Sequence, residues 1–127
     1  MLARRSLVIT LAVALAACAA TPSAAPASAV VLRTWVPSSP EACPAARTEG
    51  TLVRQSQSGA GLRDDAGAVW QVIWPTDYTA REEGGRLVVL DGSGTVVAHE
   101  GDRVEIGGAD VGGETWLGCG GMRVMTL

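Results

Sequence analysis

The chain of 127 residues contains no Lys, no Asn and no Phe, with a single His and a single Tyr. All ten basic residues are Arg, and they form no basic run. With a formal net charge of −3, the chain lacks the electrostatic footprint of a nucleic-acid binder, so no nucleic acid is expected among its partners. Its three Cys include no Cys-x-x-Cys motif, and distant Cys residues with one His make poor zinc spacing. No Ser sits in a Gly-x-Ser-x-Gly elbow, and no Gly-rich run is followed by Lys-Ser/Thr. Neither a metal nor a cofactor is expected. A length of 127 residues allows one small domain and little else.

The main apolar run is Leu7 to Ala17, interrupted only by Thr10. It is too short to cross a bilayer, which takes about 20 residues. With Arg4 and Arg5 ahead of it, it has the n-region and h-region of a secretory signal peptide. The run ends in Leu15-Ala16-Ala17-Cys18. An aliphatic residue, two small residues and Cys make a lipobox, and the N-terminal segment resembles that of bacterial lipoproteins. The resemblance implies diacylglyceryl transfer to the Cys18 thiol, cleavage before Cys18, and anchoring to a membrane of the cell envelope on its extracytoplasmic side. Two or more acyl chains give stable anchoring where one is marginal. The alternative is a secreted protein cut nearby after Ala-x-Ala, with Cys18 incidental. Removal of residues 1–17 leaves 110 residues, with eight Arg against thirteen acidic side chains.

Ala19 to Ala29 reads AATPSAAPASA, uncharged and without a large side chain. Such a segment cannot bury a core and suits a semi-extended tether. The expected organisation is a signal peptide over 1–17, a lipid-anchored tether over 18–41 and a folded domain over 42–127. Val30 to Val36 is ambiguous: it reads either as a first strand or as a segment packed on the domain.

All sixteen Gly lie between Gly50 and Gly121, and no window there keeps a helical apolar period for three turns without Gly. Short strands between Gly-rich turns are expected instead. They are Thr51 to Gln55, Ala68 to Trp74, Arg86 to Asp91, Thr95 to His99, Arg103 to Ile106 and Arg123 to Leu127. In the second of these, Trp70, Val72 and Trp74 share one face. About six short strands point to an all-β fold, a small closed or partly open β-barrel resembling the oligonucleotide/oligosaccharide-binding (OB) type.

Cys43 and Cys119 remain after lipidation of Cys18. An even number of Cys in an exported chain reads as a disulfide, here closing a loop of 76 residues. Chain entropy gives roughly 4 kcal/mol for such a closure. A redox or metal role for the pair is the alternative.

Trp74 to Glu83 carries the only Tyr, an Arg and three carboxylates. Pro75 cannot donate a ladder hydrogen bond and should end its strand. A ten-residue connection is expected, with Trp74, Asp77, Tyr78 and Arg81 as a candidate binding loop. Its alternative is a structural loop, with Tyr78 over a barrel end and Arg81 in an ion pair. Trp70 and Trp74 also qualify as core, because four Trp must supply the aromatic burial of a chain without Phe. The Trp-Pro loop, the Val-rich strand after it, Asp91-Gly92-Ser93-Gly94 and Gly101-Asp102-Arg103-Val104 together resemble a group of small bacterial lipoproteins over Gly50 to Gly108. That resemblance implies a shared fold and transfers no catalytic residue.

Three weaker signals have plainer readings. His99 and Glu100 are adjacent in a strand and point to opposite faces, so they share no acid–base site. Asp91-Gly92-Ser93-Gly94-Thr95 resembles a calcium loop only in its alternating oxygens and reads as a turn. Gly107 to Gly113 reads as a connection between strands. The function expected is a non-catalytic binding or interaction domain meeting an envelope protein, a wall polymer or a small ligand. A structural subunit of an envelope complex is the alternative, and a small hydrolase the weakest reading.

Overall fold

Buried side chains alternate with more exposed ones over 50–53, 71–74 and 115–119, which is the pattern of sheets with one face on a core. A computed structural model describes residues 28–37 and 43–126. The expected signal peptide over 1–17 and Cys18, the expected lipidation residue, lie outside the described residues. Among those described there is no helix. The strands are β1 (Ser28–Val30), β2 (Thr34–Trp35), β3 (Ala46–Gln55), β4 (Gly59–Arg63), β5 (Val69–Pro75), β6 (Thr79–Glu83), β7 (Arg86–Leu90), β8 (Val96–His99), β9 (Arg103–Asp110) and β10 (Thr115–Val124).

Five of these strands close a ring. β3 pairs antiparallel with β4 and β4 with β5, while β10 pairs antiparallel with β9 and β9 with β3. A parallel pairing of β5 with β10, from Gln71↔Thr115 to Ile73↔Leu117, completes the circuit. The fold is therefore all-β and OB-like: a small five-stranded Greek-key barrel with no free edge between its barrel strands. Ten strands replace the six expected. The additions are β1, β2, β4 and β6; β3 and β9 are longer than anticipated, and the last strand lies at Thr115–Val124 rather than at the expected Arg123 to Leu127, with which it shares only Arg123 and Val124.

The chain between β5 and β9, joined by β1, forms a second antiparallel sheet in the order β1-β6-β7-β8. Its Ala80, Leu87, Val89 and Ala98 join Leu52, Leu62, Val72, Trp74, Val104 and Ile106 of the barrel in one core. The β6–β7 turn uses Gly84 and Gly85, both at positive φ, as a tight hairpin of matching twist requires. Arg54 of β3 clasps the two sheets together through Glu82 at 2.8 Å and Glu100 at 3.0 Å.

Residues 28–37 pack on the domain although they fall within the tether expected over 18–41, which settles the ambiguous Val30 to Val36 as part of the fold. β1 pairs with β6, β2 runs parallel to β5, and Leu32 is buried between them. What docks this segment is the burial of Leu32, with Val30 and Trp35 half-buried and Val31 and Val36 left exposed, together with two backbone bonds at the point where β4 leaves β5. These are Arg33 N to Ser58 O at 3.1 Å and Trp74 N to Arg33 O at 2.8 Å.

Among the described residues, Glu105 is the charged side chain that is buried. It faces outward from β9 yet is only 7% exposed, because Arg47 and Arg123 close over it at 2.7 and 3.1 Å. Burial opposes ionisation of this carboxyl, and the two guanidinium groups outweigh it, so its pKa is lowered. A carboxyl depressed in the native state stabilises the fold above its unfolded pKa, about 4.3, and that contribution is lost as pH falls through the native value. The difference in Tm between wild type and Glu105→Gln is therefore expected to be largest near neutral pH and to shrink below about pH 4. Melting curves between pH 7 and pH 3 test this; a difference independent of pH would remove Glu105 from the account.

Candidate functional site

The four residues of the expected binding loop do not form one surface. No ten-residue loop exists: β5 runs through Pro75, Tyr78 N bonds to Pro75 O at 3.0 Å, and β6 begins at Thr79. Trp74 is fully buried, and its indole N–H donates to Ala60 O at 3.1 Å. The Tyr78 ring lies 5.9 Å from that of Trp74, and its burial pushes the phenol pKa up. Asp77 is exposed and rests against Gly92 of the β7–β8 turn. Arg81 is half-buried on β6, with its Nε 2.7 Å from Glu83 Oε1. Trp74 and Tyr78 thus meet inside the core, while Asp77 and Arg81 stay apart from them. The physical reason is that a chain without Phe spends its Tyr and this Trp on the core.

Two of the weaker signals, at His99 and at Asp91 to Thr95, resolve as their plainer readings, while the connection expected over Gly107 to Gly113 is strand as far as Asp110. His99 Nδ1 is 3.8 Å from Asp102 Oδ2, which accepts the His99 backbone N–H in a turn. Glu100 turns away to Arg54 and to the backbone N–H of Leu87, which holds its carboxyl below the usual range. Asp91 Oδ1 accepts from Ser93 N and Thr95 N, as a plain turn does. Gly107 and Gly108 are strand residues of β9, and the connection to β10 is Val111 to Glu114. Cys43 and Cys119 come together as expected but are free thiols, with Cys43 Sγ 3.9 Å from Cys119 O. The expected disulfide is therefore absent from this structure.

The polar groups that do converge lie on the outer face of β5. Gln71 alternates outward from Val72 and Trp74. Its Oε1 accepts from Arg33 Nη1 at 3.3 Å, and its Nε2 donates to Oε1 of Gln57 in the β3–β4 turn. Its backbone N–H donates to Glu114 O in the β9–β10 connection at 2.9 Å. One strand residue is thus joined to the strap that leads from the N-terminus and to two loops.

The support beneath this cluster is rigid. Gln55 Oε1 accepts from Gln57 N and Ser58 N, both at 2.7 Å. Ser58 is fully buried, donates to Ala60 O at 2.8 Å and accepts Val72 N at 3.3 Å. Glu114, with φ 53, is the only non-glycine residue at positive φ among those described. Strain of this kind, roughly 1–3 kcal/mol, persists only where its surroundings hold it.

No protein-family model, curated protein or solved structure matches the chain.

The site therefore rests on geometry alone. Beyond Gln71 and its neighbour Thr115, the same face carries Ile73 beside Leu117, both half-buried. Trp35, paired with Pro75, crosses β5 to donate its indole N–H to Gly118 O on β10 at 2.7 Å. The face thus runs from two amides and a guanidinium, over two aliphatic side chains, to a half-buried indole. It offers hydrogen-bond donors and acceptors at one end and apolar contact at the other. It offers no nucleophile with an adjacent base, and no cluster of metal ligands occurs among the described residues. Sequence reasoning missed this face because Arg33, Gln57, Gln71 and Glu114 come from four separate segments. The one local signal was the outward position of Gln71 in a strand whose other face is aromatic and apolar.

Proposed function

We propose that the chain is an exported lipoprotein, anchored through Cys18, whose barrel is a non-catalytic binding module for an envelope component. The outer face of β5 is its contact surface. The observation that carries this reading is the convergence on Gln71 of the strap and the two loops that flank strands β4 and β5. In OB-like barrels this is the region that takes extended polar ligands. A preorganised set of amides and a guanidinium, beside aliphatic and indole surface, fits a polyhydroxylated chain such as a wall glycan. Such a ligand presents hydroxyls to the planar groups and C–H faces to the apolar ones. The export reading also puts Cys43 and Cys119 in oxidising surroundings, where a disulfide between them persists.

Two measurements test the halves of this proposal separately. Expressed in a bacterium, the wild-type chain is expected in the membrane fraction, and Cys18→Ala is expected to move it to the soluble fraction. Unchanged fractionation would end the lipoprotein half. For the binding half, the chain is sedimented with purified wall sacculi. Gln71→Ala and Arg33→Ala are each expected to weaken retention about tenfold, corresponding to about 1.4 kcal/mol. Asp77→Ala, outside the face, should leave retention unchanged. Retention that ignores Gln71 and Arg33, or no retention of the wild type, would remove the glycan reading.

A further inference from the structure

We infer that Cys43 and Cys119 form an oxidisable dithiol that locks the seam of the barrel, so that stability follows the thiol–disulfide poise of the surroundings. The inference takes its oxidising setting from the export reading above; the geometry of the thiols stands apart from it.

The topology makes the pair more than a chance contact. Cys43 lies three residues before β3, the first strand of the barrel, and Cys119 lies within β10, the last. These strands are not neighbours, because β9 runs between them and pairs with both. Ala46 and Gly118 both pair with Gly108 of β9, so the two thiols approach each other across one level of the β3–β9–β10 set. Hydrogen bonds through β9 are what join β3 to β10 here, and a covalent bond between Cys43 and Cys119 would join them directly. Cys119 also sits at the irregularity between Gly118 and Gly120, where the ladder to β9 shifts register. A bulge leaves a residue outside regular pairing and re-aims its side chain.

The two thiols are chemically unequal. The Cys119 thiol is pushed up to about 12, first by burial and then by the Cys43 thiol against it. It stays protonated at neutral pH, and the thiolate is the attacking species. Oxidation by an external disulfide, written RSSR, therefore begins at Cys43. The Cys43 sulfur attacks one sulfur of RSSR, loses its proton to solvent and releases RS⁻. Cys119 then loses its proton, attacks the Cys43 sulfur and expels the second RS⁻. The chain loses two electrons and two protons, and RSSR is reduced to two thiols.

The test uses the full chain carrying Cys18→Ser, so that only this pair can react. It is reduced, freed of reductant and incubated with oxidised glutathione. The expected product is about 2 Da lighter and carries no glutathione, and its Tm is higher by about 10 °C or more than that of the reduced chain. Cys119→Ser should stop at a stable glutathione adduct on Cys43 and show no such rise, whereas Cys43→Ser should react more slowly than either. Persistent free thiols in the parent chain, a stable adduct there, or a disulfide without a rise in Tm would each overturn the inference. The fractionation of Cys18→Ala bears on export alone, so failure of that reading would leave this result standing.

Discussion

Replacing Gly108 by alanine is expected to destabilise the domain by about 3 kcal/mol or more, a large share of the roughly 5–15 kcal/mol that holds small domains folded. Gly108 has φ 150, in a region that side chains rarely adopt. A Cβ built there would overlap the Leu117 carbonyl oxygen and stand 2.8 Å from the Trp116 indole nitrogen. Neither neighbour can retreat cheaply. Leu117 is the backbone of β10 where that strand pairs with both β5 and β9, and Trp116 is buried in the core. Gly108 itself pairs with Ala46 on one side and Gly118 on the other. Making room for one methyl group therefore means opening the ring where three strands meet. Gly67 is the control: it also has positive φ, at 87, but a Cβ there meets nothing within 4 Å. Gly67→Ala should cost only the backbone penalty, about 1–2 kcal/mol. Urea titrations followed by circular dichroism compare the two. Equal costs would mean that the crowding at Gly108 is relieved without breaking the seam.

The same residue explains part of what the sequence hides. The strands over Ala68 to Trp74, Arg86 to Asp91, Thr95 to His99 and Arg103 to Ile106 are legible, because apolar residues alternate or run continuously within them. They correspond to β5, β7, β8 and β9. The strand β4, Gly59–Arg63, is not legible. Its Gly61 replaces a strand-forming side chain because a Cβ would overlap the Trp70 carbonyl oxygen, so tight coiling of the barrel erases the propensity signal. β10 is masked likewise by Gly118, Gly120 and Gly121, of which the last two have positive φ. β6 reads TAREE and looks like a charged loop, yet Ala80 packs inward and Arg81 pairs with Val88. What selects the strand there is its partner β7, which is buried from Leu87 to Leu90. The proposed contact face is harder still. Arg33 and Gln71 are 38 residues apart, and only the docking of the strap brings them together.

Trp74→Ala is expected to be the other large effect, about 3–5 kcal/mol, and it separates a core role from a surface role. The side chain is fully buried, between the Tyr78 ring at 5.9 Å and Ala60 of the barrel wall, whose carbonyl its indole bonds. Trp74→Phe should cost much less, about 1–2 kcal/mol. The indole's partner, Ala60 O, also accepts the Ser58 hydroxyl at 2.8 Å and so is not left bare when the indole N–H is removed. If Trp74 belonged to a contact surface, Trp74→Phe would weaken retention on sacculi at unchanged Tm. A core residue gives the opposite signature: Tm falls, and retention measured well below Tm is unchanged. Gln71→Ala reverses the pair, since its side chain bonds only to Arg33 and Gln57 on the exposed face. Its Tm should stay within a few degrees of wild type while retention falls. Reading both quantities on both variants assigns each face of β5 its role, because successive side chains of one strand point to opposite sides of the sheet.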